Sequence, residues 1–180
     1  MKKRAFPKDL KFGAYLPKSS SKRLIRIDDA TQALERFITE YFNGIANVRV
    51  NLNTVKTDSI FLSDEYTAYL MRSIMAAIYS ESVIDISITN ADKKLTICFS
   101  TDGKYKPDDS EIYESLSEFA QKSGFELIFT GNGIALRAPV LQGKIVISAI
   151  SKESFYQKLM RIFFANQDGI FKENENSETV

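Results

Sequence analysis

FAQKSGFELIFTGNGIALRAP, residues 119–139, decides the fold. Phe119 and Ala120 continue an apolar stripe begun by Ile112 and Leu116, and Gly124 ends it, so a helix closes here. FELIFT (125–130) and IALRAPV (134–140) follow as two strands around Gly131-Asn132-Gly133. Glycines at such a tip are expected to supply positive φ. A helix that runs straight into a hairpin points to a sheet with helices laid on it.

The same alternation of periods extends toward both termini. RLIRI (23–27) reads as a short strand. Asp28 or Asp29 is placed to cap a helix whose stripe is Leu34, Phe37, Ile38, Tyr41 and Phe42, and Asn43-Gly44 stops it. VRVNLN (48–53) and SIFL (59–62) are strands. Ser63 caps a helix to about Ser80, with Tyr66 where a capping box takes Glu or Gln. VIDISIT (83–89) and LTICFST (95–101) form a hairpin through Asn90-Ala91-Asp92-Lys93. DGKYKPDDS (102–110) is a polar loop before the helix at Ile112. KIVISAI (144–150) adds a strand, and Phe155, Leu159, Ile162 and Phe163 add a helix.

This order predicts an α+β fold, a two-layer α/β sandwich. Its sheet is mixed but mostly antiparallel, with helices on one face. Four stretches follow: a basic irregular arm at 1–22, the main fold at 23–140, an appended strand and helix at 141–165, and a disordered polar tail at 166–180.

Composition removes whole classes of chemistry. The 180 residues include no histidine and one cysteine, Cys98. Histidine bases, Ser-His-Asp and Cys-His triads, disulfides and His/Cys zinc sites are therefore excluded within this sequence. Carboxylates, Lys, Arg, Tyr, Ser/Thr or a hard cation on oxygen ligands are what is left. Charge is uneven: residues 1–26 hold nine basic groups against Asp9, leaving fifteen basic and twenty-two acidic groups in the rest. Such an arm suits nucleic acid or an acidic surface, or else simply packs on the acidic body. No apolar run approaches a membrane span, and MKKRAFPKDLKFG has no apolar core of a secretory signal. With a single cysteine, a cytoplasmic protein that does not enter the membrane is expected.

Three segments in this order carry a family resemblance: RLIRIDDATQALERFITEYFN (23–43), SDEYTAYLMRSIMAAIYSES (63–82) and FAQKSGFELIFTGNGIALRAP (119–139). Together residues 23–140 resemble the ATP-binding domain of sensor histidine kinases, in the superfamily shared with gyrase, heat-shock chaperones and mismatch-repair ATPases. The resemblance implies a nucleotide site whose Mg²⁺ is held by an Asn on the second helix. Ala76 stands at that position, and Arg72 one turn earlier where a polar residue is usual. Ala has no side-chain oxygen, and Arg is a donor only. Strand phase sets the family's D-x-G-x-G, an adenine-reading Asp and two glycines, on Thr101-Asp102-Gly103-Lys104-Tyr105, where Gly103 alone is kept; a shift by one makes Asp102 the adenine-reading remnant but puts Lys104 and Lys106 where glycines belong, and Tyr105 crowds a bare-backbone site. Gly131 and Gly133 match the closing glycine segment, but Ile134 replaces its Thr.

These departures imply a degenerate, non-catalytic member: a pseudokinase in bacterial signalling that binds a protein partner, with neither metal nor ATP expected. The appended strand and helix have two open roles, covering a sheet edge or forming the surface of a homodimer. The enzyme alternative is an ATP-dependent serine kinase like the bacterial anti-sigma factors. Another is nucleotide binding without hydrolysis, with adenine held by Asp102. Nucleic-acid binding through the basic arm at 1–26 is the remaining alternative. Asp64, Glu65 and Glu81 bracket the second helix. Their plain reading is complementarity to the helix dipole for the first two and a surface position for the third.

Overall fold

The computed structural model describes residues 22–41, 46–52, 58–78, 84–102, 110–142 and 154–161. In chain order it has β1 (Arg23–Arg26), α1 (Ile27–Tyr41), β2 (Ala46–Leu52), β3 (Ser59–Leu62), α2 (Asp64–Ile78), β4 (Ile84–Ala91), β5 (Lys94–Ser100), α3 (Ser110–Ser123), β6 (Glu126–Thr130) and β7 (Gly133–Leu141). Residues 155–161 form a further helix, α4. The expected arm at 1–21, the strand at 144–150 and the polar tail lie outside the described residues.

The strands form one sheet in the order β1-β3-β7-β5-β4-β2, with β6 also paired to β7. Only β2–β4 is parallel; every other pairing among the described residues is antiparallel. The long β7 organises the rest. β5 runs along one side of it, while the other side takes β6 beside 133–137 and then β3 beside Val140 and Leu141.

Alternation along the central strands decides the layers. Ile84, Ile86 and Ile88 of β4, Leu95, Ile97 and Phe99 of β5, and Ile134, Leu136, Ala138 and Val140 of β7 are buried on one face. Ser87, Thr89, Thr96 and Cys98 on the opposite face are half-buried. Helices therefore cover one face, the expected two-layer arrangement. The buried set also settles the aromatic residues: Phe37, Phe99, Phe119, Phe125 and Phe155 lie in the core rather than on a stacking surface. Each such side chain contributes about 1.5–3 kcal/mol on burial.

Local chemistry fixes the helix ends. The Tyr66 amide donates to Ser63 Oγ at 3.4 Å, the expected cap of α2. Gly124 takes φ 105° and ends α3. Its amide donates to the Gln121 carbonyl at 3.2 Å while Phe125 N reaches Ala120 O at 2.8 Å, a Schellman closure.

Two expectations are corrected. α1 begins at Ile27, so Asp28 and Asp29 lie in its first turn instead of capping it. β1 passes directly into the helix, and the first amide, Ile27 N, is satisfied by the Asp58 carbonyl at 3.1 Å. The tip at Gly131-Asn132-Gly133 uses no positive φ; among the described residues the non-glycine left-handed positions are Asp92 and Lys93, at φ 53° and 60°. The β4–β5 hairpin thus has the two-residue turn with left-handed centres that matches strand twist.

Candidate functional site

The positions that the resemblance assigns to nucleotide lie where β5 ends against the β6–β7 hairpin. Register pairs Ser100 with Gly133 and Thr130 with the same glycine. Thr101 N donates to the Asn132 carbonyl at 2.9 Å, and Thr101 Oγ1 reaches the same oxygen at 3.0 Å. Asp102, which is exposed, follows Thr101 in the chain, and Gly131 and Gly133 flank Asn132, so the three positions lie at the same end of the sheet. Gly103 and the Lys104-Tyr105-Lys106 loop lie outside the described residues.

The two glycines are glycines for different reasons. A Cβ on Gly133 would fall onto the carbonyl oxygen of Phe99 and lie 2.9 Å from its carbonyl carbon. Its bare backbone lets β7 approach β5 and opens no ligand cradle. Around Gly131 nothing lies within 4 Å of a built Cβ.

Arg72 and Ala76 lie one turn apart on α2, with Ala76 in the last turn. A metal bridging a triphosphate needs a side-chain oxygen there, and alanine offers none. Among the described residues no group of three or more acidic, Cys or His side chains is placed to hold a metal.

A second cluster, at the opposite end of α2, has two members that sequence reasoning passed over. Asp64 accepts from Arg23 Nε at 2.9 Å and pairs with Lys158 Nζ of α4 at 3.2 Å. Its side chain is 11% exposed. The Arg23 Nη2 and Thr67 Oγ1 atoms are buried without a hydrogen-bond partner among the described residues. On α1, Glu40 accepts from Arg36 Nε at 2.8 Å and from the Tyr156 hydroxyl of α4. The Tyr156 bond, then the Arg36 bond, hold the Glu40 carboxyl below its ordinary range. Arg36 also lies 4.1 Å from the Tyr156 ring centre. The sequence did carry a signal: Ser154 and Gln157 have capping-box spacing, and the structure closes both reciprocal bonds, at 3.0 and 3.2 Å. Glu65 is half-buried in the first turn of α2, and Glu81 lies outside the described residues.

No helix among the described residues is long and apolar enough to cross a membrane. No protein-family model matches the sequence, and no curated protein does. Solved structures do match. The chain is similar to the nucleotide-free catalytic domain of histidine kinase ThkA, at 9% identity over 66% of this chain and 97% of that one, with a TM-score of 0.47. It is also similar to the cytoplasmic segment of histidine kinase QseC, at 14% identity over 69% and 77%, TM-score 0.45. Acinetobacter baumannii histidine kinase AdeS matches at 9% identity over 66% and 67%, TM-score 0.40.

Proposed function

We propose that this chain is a histidine-kinase-like ATP-binding fold without metal-dependent phosphoryl transfer, acting as a protein-binding or regulatory module in signalling. The order of the three resembling segments supports the family. Ala76 carries the functional half of the reading, because phosphoryl transfer needs a metal to offset charge on the phosphates. The same alanine weighs against the serine-kinase alternative.

Thermal melting with millimolar ATP or ADP, with and without Mg²⁺, tests it. A ligand at 100 times its Kd adds about 2.7 kcal/mol to the native state. For a chain of this size that raises Tm by roughly 5–11 °C. No shift is the expected result. A Mg²⁺-dependent shift overturns the reading. A shift independent of Mg²⁺ selects nucleotide as a ligand without hydrolysis, the reading favoured by exposed Asp102 beside the hairpin. Nucleic-acid binding by the arm predicts a steep salt dependence that disappears when residues 1–22 are deleted.

A further inference from the structure

We propose that α1 and α2 form a docking seat for an amphipathic helix, and that the chain's own residues 154–161 occupy it as a detachable clasp. Phe155 and Leu159, one turn apart, are buried in the main core. Tyr156 reaches Glu40 on α1, and Lys158 reaches Asp64 at the start of α2. One short helix therefore fastens two elements of the helical layer.

Detachment follows from how the seat is charged. Each acid that the clasp grips already has an arginine from the body. Asp64 keeps Arg23, with both carboxylate oxygens at 2.9–3.1 Å from Nε. Glu40 keeps Arg36 at 2.8 Å. Removing the clasp thus strands no lone buried carboxylate, which is the usual large cost of breaking a buried ion pair. What it uncovers is the apolar floor under Phe155 and Leu159.

The clasp has the complementary properties. Over the described residues of α4, Phe155 and Leu159 are buried while Gln157 and Arg161 are exposed, an amphipathic pattern whose stability comes from docking. The Ser154–Gln157 capping box gives it a defined start of its own. Its ionic anchor is largely but not wholly buried, with Lys158 at 20% and Asp64 at 11%, so salt screens it in part and only at high ionic strength. The seat accepts the pattern aromatic, two residues, basic, aliphatic, as in Phe155, Lys158 and Leu159. Of the two acid–arginine pairs that flank it, Asp64–Arg23 takes the basic residue and Glu40–Arg36 takes the Tyr156 hydroxyl.

Hydrogen exchange on the full chain tests this directly. In the unaltered protein, amides of 155–161 are expected to exchange at least about ten-fold faster than those of β4, β5 and β7 through local opening. Raising salt to 1 M should speed them further and leave the sheet unchanged. In the double variant Phe155→Ala/Leu159→Ala, protection over 155–161 should vanish while the sheet keeps its own. A labelled synthetic peptide of residues 152–163 should then bind the double variant and not the unaltered chain. Exchange of 155–161 in step with the sheet overturns the proposal. So does a salt-independent rate, loss of sheet protection in the double variant, or failure of the peptide to bind that variant while it is folded. A concentration-dependent dimer with 155–161 protected in trans also overturns it, because the occupant is then a second copy's helix.

Discussion

Gly133→Ala is the sharpest test of why the hairpin glycines are there. Gly133 is buried and paired on both sides, to Ser100 of β5 and Thr130 of β6. The added methyl would meet the Phe99 carbonyl oxygen, with the Phe99 carbonyl carbon at 2.9 Å and Ser100 Cα at 3.1 Å. All three obstacles are backbone atoms in or bordering a paired central strand, so no rotamer change relieves the clash. Overpacking of this kind costs about 1–3 kcal/mol, and rigid backbone places this site toward the upper end. For a domain of this size the Tm should fall by roughly 2–12 °C. Gly131→Ala is the control: its surroundings are open and its φ is not left-handed. Removing chain entropy from the unfolded state there stabilises by about 0.4–1 kcal/mol. Paired melts by circular dichroism, without nucleotide, decide it. Equal Tm values for Gly133→Ala and the unaltered protein would refute the packing account. So would a Gly131→Ala cost as large as that of Gly133→Ala.

Gly124→Ala should destabilise by more than about 1 kcal/mol, because the residue is at φ 105° and its Cβ would also meet the Phe61 carbonyl; chemical denaturation reads the change. The Glu40 carboxyl, lowered by the Tyr156 hydroxyl and Arg36, contributes stability that is full above its unfolded pKa and is lost as pH falls through its folded value. Tyr156→Phe should raise that pKa in a side-chain NMR titration, and an unmoved value would show that the hydroxyl does not hold the acid. In a double-mutant cycle, Arg23→Met and Lys158→Met should each be mild and their combination disproportionately severe. The last loss strips an 11%-exposed Asp64 of both cations, where breaking a buried pair costs about 3–5 kcal/mol. Additive effects in urea denaturation would count against shared charge.

Periodicity made the layers legible. SIFL appears as β3 with the bounds read from its residues, and Ser63 caps α2 because its hydroxyl precedes an apolar stripe. Gly124 ends α3 as read, since few other residues accept its φ. The hairpin tip was misread because the dipeptide rule concerns left-handed turns, whereas Gly133 is demanded by a strand packed against it, which local sequence does not encode. Arg23, Lys158 and Tyr156 escaped notice for a related reason. Asp64 lies 41 residues from Arg23, and Glu40 lies 116 from Tyr156. Contacts at such separations leave no spacing to read. Asp102, Gly131 and Gly133 are grouped through the resemblance alone; the Thr101–Asn132 bonds join the end of β5 to the hairpin tip.

The two ends of α2 answer to different constraints, and this governs how the experiments separate. At its start, Ser63 N donates to the Ser123 carbonyl at 3.0 Å, and Asp64 is held by Arg23. Those contacts join α2 to α3 and β1 without using α4. Opening the clasp therefore leaves the start of α2 fastened and the sheet intact. Such opening registers in the exchange of 155–161 and little in a cooperative melt. A nucleotide that binds the native state, by contrast, moves the whole melting transition, because it stabilises every residue that unfolds with the domain. A failed nucleotide shift accordingly says nothing against the clasp, and a failed clasp experiment leaves the argument from Ala76 where it stood.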